Sequence, residues 1–171
     1  MGVGTQRLDF AEFYTRFKDE CLVTVLVSVR DHDTAEELVS EAFARAWASW
    51  PKVGEHPAPQ AWVVRTALNV GVSRWRRRRR ELPVADAATV PGLSMVTSVR
   101  GGIDPMVLAA LMRLPARQRQ VVGLRLFLDL DTARTAEVLG IAPGTVQAHL
   151  GRAIAALRKD LNRLLEKESL P

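Results

Sequence analysis

Cysteine is nearly absent: Cys21 is the single one. No intramolecular disulfide can form, which suits a protein working in a reducing cytoplasm. Cys21 sits in an apolar stretch and reads as a small buried hydrophobe. Aromatic residues make up only 6%, and strand-like alternation is scarce, so a sandwich or barrel is disfavoured. No apolar run approaches the roughly 20 residues of a membrane-spanning helix. The opening MGVGTQRLDF lacks the apolar stretch of a secretory signal. Catalytic constellations are also missing. His32, His56 and His149 lie in three different segments without metal-ligand spacing. No Gly-rich phosphate loop follows a strand. The chain is therefore not expected to be an enzyme, and no cofactor or metal is expected.

What the chain does have is helix-forming material. Hydrophobic residues make up 47%, enough for a core, and Ala, Leu, Arg and Glu dominate, so an all-α protein is expected. The net charge is +5, and the cations bunch at Arg74 to Arg80 and recur from Arg113 to Arg125. Such clustering points to a polyanion, with nucleic acid favoured over an acidic membrane surface because no apolar run offers insertion. No membrane partner is expected.

Helical spacing runs from about Phe10 to Val29 and breaks at Arg30 to Asp33. A second helix is expected over Thr34 to Trp50, with Thr34 as N-cap and Glu37 completing a capping box. Pro51 ends it, and Lys52 to Pro59 reads as a loop. A third helix starts near Gln60 and runs into the arginine block until Pro83. Leu82 to Gly102 lacks periodicity and reads as a flexible linker. A second helical unit spans about Asp104 to Glu168. The expected layout is two small helical domains, 8–81 and 104–168, on a tether covering 82–103.

The most informative stretch is DTARTAEVLGIAPGTVQAHLGRAIAAL, Asp131 to Leu157. Ala133, Ala136 and Leu139 keep helical spacing, Gly140 suits a left-handed helix end, and Pro143 suits the start of the next helix. Val146, Leu150, Ala153 and Leu157 share one face, while Thr145, Ala148, His149 and Arg152 share the other. Two short helices across a Gly-containing turn, the second with a small, polar and basic face, suit a DNA major groove. An ordinary helical hairpin in a core is the plainer alternative.

Upstream, Gln60 to Arg80 wraps into an apolar stripe of Ala61, Val64, Leu68, Val72 and Trp75. Nearly opposite lie Trp62, Arg65, Asn69, Ser73, Arg76 and Arg80. Guanidiniums pair with phosphate, an aromatic stacks on an unpaired base, and an amide reads base edges. A solvated basic face is the alternative. The acids Asp31, Asp33, Glu36, Glu37 and Glu41 stand out in a basic chain. Beside Leu38, Val39, Ala42 and Phe43 they suggest a basic protein partner, or simply acids complementing a helix dipole.

An acidic helix, an arginine-bearing helix and a helix-turn-helix, in that order, resemble the extracytoplasmic-function (group 4) sigma factors of bacterial RNA polymerase. DTAEELVSEAFARAW (33–47) resembles the core-binding segment of region two. QAWVVRTALNVGVSRWRRRRR (60–80) resembles the segment that melts and reads the minus-ten element. LPARQRQVVGLRLFLDLDTARTAEVLGIAPGTVQAHLGRAIAALR (114–158) resembles region four, which reads the minus-thirty-five element. The resemblance implies that Glu36, Glu37, Leu38, Val39, Ser40, Glu41 and Phe43 face the polymerase. It implies that the loop from Val53 to Ala61 receives an extruded base, and that Trp62, Arg65, Asn69, Ser73, Arg76, Arg77 and Arg80 meet minus-ten DNA. It further implies that Arg125, Pro143, Thr145, Gln147, Ala148, His149 and Arg152 meet the minus-thirty-five element. Core RNA polymerase and promoter DNA are the implied partners, an anti-sigma factor is a further candidate, and the cytoplasm is the implied location. The family's usual aromatic in the 53–61 loop is replaced here by Val and Pro, and its frequent Arg at the position of His149 by His. The rival reading is a stand-alone helix-turn-helix transcriptional regulator, which the lack of strand–helix alternation in the first half disfavours.

Overall fold

The computed structural model describes residues 9–81 and 103–168. Eight helices and no strand occur among them, as the composition predicts. The expected linker lies almost entirely outside the described residues.

α1 (Phe10–Val29) opens on Asp9, whose carboxylate accepts the Glu12 N–H at 2.8 Å. It closes on Arg30, held left-handed at φ 65° with its N–H donated to Leu26 O. A side chain other than glycine there is uncommon. α2 (His32–Ala48) starts earlier than the Thr34 signature suggests. Asp31 is the cap, accepting the Thr34 N–H at 2.8 Å. An Asp is as good an acceptor as Thr and lies one turn upstream, so Thr34 becomes a first-turn residue. After Ser49 the chain turns straight into a short α3 (Trp50–Val53). Pro51 sits in its first turn, where a missing N–H costs nothing, so the expected loop shrinks to 54–58.

α4 (Pro59–Glu81) buries Ala61, Val63, Val64, Ala67 and Val70 between α1 and α2. The predicted stripe through Val72 and Trp75 fails, since both are about half exposed, at 48% and 56%. Beyond Val70, among the described side chains of α4, only Gly71 and Arg74 are partly covered. A Cβ at Gly71 would stand 3.0 Å from Leu38 Cδ1, so the missing side chain lets α4 lie close on α2.

In the second half, Asp104 caps α5 (Pro105–Arg113) and α6 (Ala116–Leu126) follows Pro115. α7 (Thr132–Leu139) is capped by Asp131, ends on Gly140 at φ 63° as the sequence predicts, and gives way to α8 (Pro143–Glu168). Val121, Ala136 and Val146 form the small core beneath this turn, with Leu139, Ile141 and Leu150 around it.

The two helical units share one continuous core from Phe13 to Ala153, because α1 packs along α6 and α4 meets α7. Arg119 of α6 is buried at 5% exposure. Its Nε donates to Val27 O of α1, and its Nη1 donates to Leu114 O at 2.6 Å. Gly123 makes the contact close: a Cβ there would come within 2.9 Å of Val27 Cγ2.

Candidate functional site

Three surfaces carry the sequence-predicted residues. The first is an apolar groove where α1 and α2 run side by side, lined by Phe10, Tyr14, Ser40, Phe43, Ala44 and Trp47. It continues past Ser40 to Val39, Leu22, Lys18, Asp19 and Glu36. An aromatic cluster builds its floor: Phe10 lies 4.9 Å from Trp47 edge-on, and Tyr14 lies 5.0 Å from Phe43. Trp47 is 64% exposed. An open indole beside an apolar trough rimmed by acids has the composition of a protein-binding patch. Sequence reasoning missed Tyr14, Ala44 and Trp47. The signal was present, because Ser40, Ala44 and Trp47 recur at helical spacing.

Of the residues assigned to this contact, Glu36, Glu37 and Ser40 are exposed. Leu38, Val39 and Phe43 are not: they lie in the core at 0%, 6% and 4% exposure. Leu38 fixes α2 from within, since apolar side chains on its inner face gain most by leaving water, while Val39 and Phe43 are largely buried yet still line the groove. Glu37 and Glu41 turn toward α4 instead. Arg74 donates to Glu37 Oε2 at 3.1 Å and to Glu41 Oε2 at 2.5 Å, and Arg45 reaches Glu41 from the same helix. α2 therefore has two working edges, a carboxylate–hydroxyl–indole edge toward α1 and an ion-paired edge toward α4.

The second surface is the groove along that ion-paired edge, about 710 Å³ in volume. Trp62, Asn69, Ser73 and Arg77, all predicted, line it together with Thr66, Val70, Arg74 and Arg45. Indole, amide, hydroxyls and guanidiniums in one trough match what unpaired bases and phosphates require. Arg76 and Arg80 are exposed outside the groove lining. Arg65 points elsewhere, its Nη1 3.6 Å from Glu137 Oε1 of α7. Val53 is buried at 4% exposure, so it anchors α3 rather than meeting a ligand.

The third surface is the start of α8. Pro143, Thr145, Gln147, Ala148 and Arg152 are exposed, while Val146 and Ala153 are buried on the opposite face. His149 is half-buried, and its Nδ1 is enclosed without a partner. Arg125 departs from expectation. Its guanidinium donates to Leu130 O and so clasps the turn between α6 and α7 rather than projecting toward a phosphate.

Charge states follow from these surroundings. The Thr34 side chain, and then its backbone N–H, hydrogen-bond the Asp31 carboxylate and hold its pKa below the ordinary range. Burial, with Glu20 nearby, pushes the Cys21 thiol far up, which leaves it an unreactive core residue. Burial first, and the positive charge of Arg30 second, press Arg119 below its usual value. Among the described residues, His32, Asp33 and Glu36 bring ligand-type atoms within 4.8 Å of one another. They sit at the exposed start of α2, where acids complement a helix dipole.

Residues 19–81 match the family described as Sigma-70 region 2, and residues 105–157 match Sigma-70, region 4. The chain is 30% identical over 169 residues to an RNA polymerase sigma-E factor of Streptomyces avermitilis, covering 94% of this chain and 93% of that one. It is 33% identical over 138 residues to the ECF RNA polymerase sigma factor SigL of Mycobacterium tuberculosis, covering 78% of each. Its fold is similar to that of the sigma factor RpoE solved with the anti-sigma factor NepR from Bartonella quintana. The TM-score is 0.67 at 24% identity, over 90% of this chain and 97% of that one. The fold is also similar to CnrH in complex with the cytosolic domain of CnrY, with a TM-score of 0.61 at 22% identity, over 94% and 91%.

Proposed function

This chain belongs to the sigma-70 family of RNA polymerase sigma factors, and from that premise we propose how its surfaces divide the work and that it is of the extracytoplasmic-function group 4 type. A sigma factor binds core RNA polymerase and directs promoter-specific initiation. In this reading, 8–81 is the core-binding and minus-ten unit, 82–103 is the connector, and 104–168 is the minus-thirty-five unit. The work is done by binding rather than by covalent chemistry, in the cytoplasm.

The α1–α2 groove docks on core polymerase through Glu36, Ser40, Tyr14 and Trp47. The start of α8 enters the major groove, where Gln147 and Arg152 meet base edges and neighbouring contacts to phosphate set the register. The α2–α4 groove then takes unpaired bases. Unstacking costs a few kcal/mol per base, and stacking on Trp62 with polar contacts from Asn69, Ser73 and Arg77 offsets it. A surface that holds only the open strand shifts the melting equilibrium toward it.

The observation that carries this reading is the meeting of Trp62, Asn69, Ser73 and Arg77 in one groove beside the helix that bears the docking edge. Run-off transcription with purified core polymerase and genomic fragments tests it, because discrete start sites appear only if the chain programs the enzyme. A stand-alone regulator bound to DNA yields none. An anti-sigma factor is proposed as a further partner, as the Bartonella sigma factor RpoE was solved in complex with the anti-sigma factor NepR.

A further inference from the structure

The groove between α2 and α4 has two walls, and the residues assigned to the opened strand stand on one of them. Trp62, Asn69, Ser73 and Arg77 all belong to α4, whereas Glu41, Arg45 and Ser49 line the same groove from the α2 side. Positions 41, 45 and 49 follow one another at four-residue spacing, so the end of α2 presents one edge to the groove.

Glu41 is the centre of that edge, and each of its carboxylate oxygens takes a different guanidinium. Oε1 accepts from Arg45 Nη2 at 2.5 Å, and Oε2 accepts from Arg74 Nη2 at 2.5 Å. Arg74 is spent further on Glu37 Oε2 at 3.1 Å. Among the described residues, the Arg45 guanidinium bonds Glu41 alone, and its side chain is 55% exposed. A guanidinium carries five N–H donors in a rigid plane, so most of those on Arg45 are left for a ligand. The groove wall as a whole is cationic, with Arg45, Arg74 and Arg77 set against the one carboxylate of Glu41. An arginine in the last turn of a helix also complements the helix dipole, but that role does not need a carboxylate shared with α4.

We propose that Arg45 is a further contact for the captured strand: its guanidinium takes a backbone phosphate, and Glu41 is the positioning residue that aims it. This rests on the assignment of the α2–α4 groove to opened promoter DNA. Glu41, which the sequence places against the polymerase, acts in the groove through the two arginines it holds. A side chain already fixed against a carboxylate loses little more freedom when a phosphate arrives. The planar fork of Arg45 matches two phosphate oxygens, while the indole of Trp62 and the amide of Asn69 on the facing wall suit bases. α2 then holds the polymerase with its α1 edge and the strand backbone with its α4 edge.

Holoenzyme formed at saturating core polymerase is titrated with two DNA fragments from a mapped promoter. One is pre-opened over the minus-ten element, and the other is paired and stops upstream of that element. Arg45→Ala is expected to weaken binding to the pre-opened fragment at least fivefold and to leave the paired fragment within twofold. It should also lower the slope of log affinity against log salt on the pre-opened fragment by roughly 0.7, the value of one single-strand phosphate. Glu41→Gln should cost at least threefold on the same fragment, and clearly less in an Arg45→Ala background, because part of its effect passes through Arg45. Replacing phosphates of the pre-opened strand one at a time by neutral methylphosphonate should reveal a linkage that weakens the parent and leaves Arg45→Ala unchanged. Binding of Arg45→Ala within twofold of the parent, an equal loss on both fragments, a Glu41→Gln cost undiminished in the Arg45→Ala background, or the absence of such a linkage overturns the proposal. If the parent holoenzyme binds the pre-opened fragment no better than the paired one, the groove assignment itself fails, and the role of Arg45 fails with it.

Discussion

Arg74 of α4 holds Glu41 of α2 at 2.5 Å and reaches Glu37 with its other nitrogen. One guanidinium thus ties the arginine-bearing helix to the acidic helix and removes two carboxylates from the free acidic patch. The pair is only partly covered, with side-chain exposures of 38% and 30%, so its contribution to stability is modest, up to about 1 kcal/mol. Its larger effect is geometric. It fixes which edge of α2 lines the α2–α4 groove and leaves Glu36, Ser40, Ala44 and Trp47 on the other edge.

Trp47→Ala is expected to weaken association with core polymerase at least tenfold while the helical spectrum stays unchanged. An exposed indole over an apolar groove has the character of an interface anchor, where truncation costs about 2 kcal/mol or more. Binding of labelled chain to core polymerase measures this, and an affinity within twofold of the parent would remove the α1–α2 groove from the docking surface.

Arg76→Ala, Arg77→Ala and Arg80→Ala together are expected to flatten the salt dependence of promoter binding. Each lost phosphate contact lowers the slope of log affinity against log salt by roughly 0.7 to 0.9, so three exposed arginines should lower it by about 2 to 3. A titration across salt concentrations reads this directly. An unchanged slope would mean that these side chains are a solvated face.

Arg152→Ala is expected to cost about 1–3 kcal/mol of specific binding and to relax preference at one base position. Arg125→Ala should behave differently. Its guanidinium serves Leu130 O, so its loss should lower thermal stability without changing which sequences are preferred. Selection from a randomised duplex pool, paired with thermal melts, distinguishes the two.

Asp31→Ala should destabilise the chain by about 1 kcal/mol through loss of the α2 cap. The pH dependence follows from the sign of the shift. The folded-state pKa lies below its ordinary value of 3.8, so the unfolded chain binds the proton more tightly. This contribution is complete above the ordinary value and is lost as pH falls through the depressed one. Denaturation curves for parent and variant should therefore differ at neutral pH and converge in strong acid.

Much of this architecture is legible locally. The all-α class follows from composition. The turn between α7 and α8 follows from Gly140 and Pro143, because a left-handed residue and a helix-starting proline are demands of the backbone itself. The start of α2 was misread for a local reason, since Asp31 and Thr34 are both good caps and sequence does not rank them. What sequence conceals is nonlocal. Arg74 and Arg119 look like any other basic residues until folding brings Glu41 to one and Val27 O to the other. Val72 and Trp75 continue an apolar stripe on paper, yet among the described side chains beyond Val70 only Gly71 and Arg74 are partly covered. The candidate surfaces were legible as helices and only partly as residues. Leu38 and Val53 have the chemistry of contacts but are used in the core, while Val39 and Phe43 belong to the core and also line the docking groove. Trp47, the most open aromatic of the docking groove, was not singled out.

The most direct measurement of the central claim, that α4 captures opened promoter DNA while α2 holds the polymerase, is permanganate reactivity of unpaired thymines on a mapped promoter. It should be made at saturating core polymerase, with the parent chain and with an Asn69→Ala, Arg77→Ala variant. The account predicts that the variant still co-migrates with core polymerase and that reactivity around the start site falls at least tenfold. Undiminished reactivity, or a loss that merely follows lost polymerase binding, would contradict it.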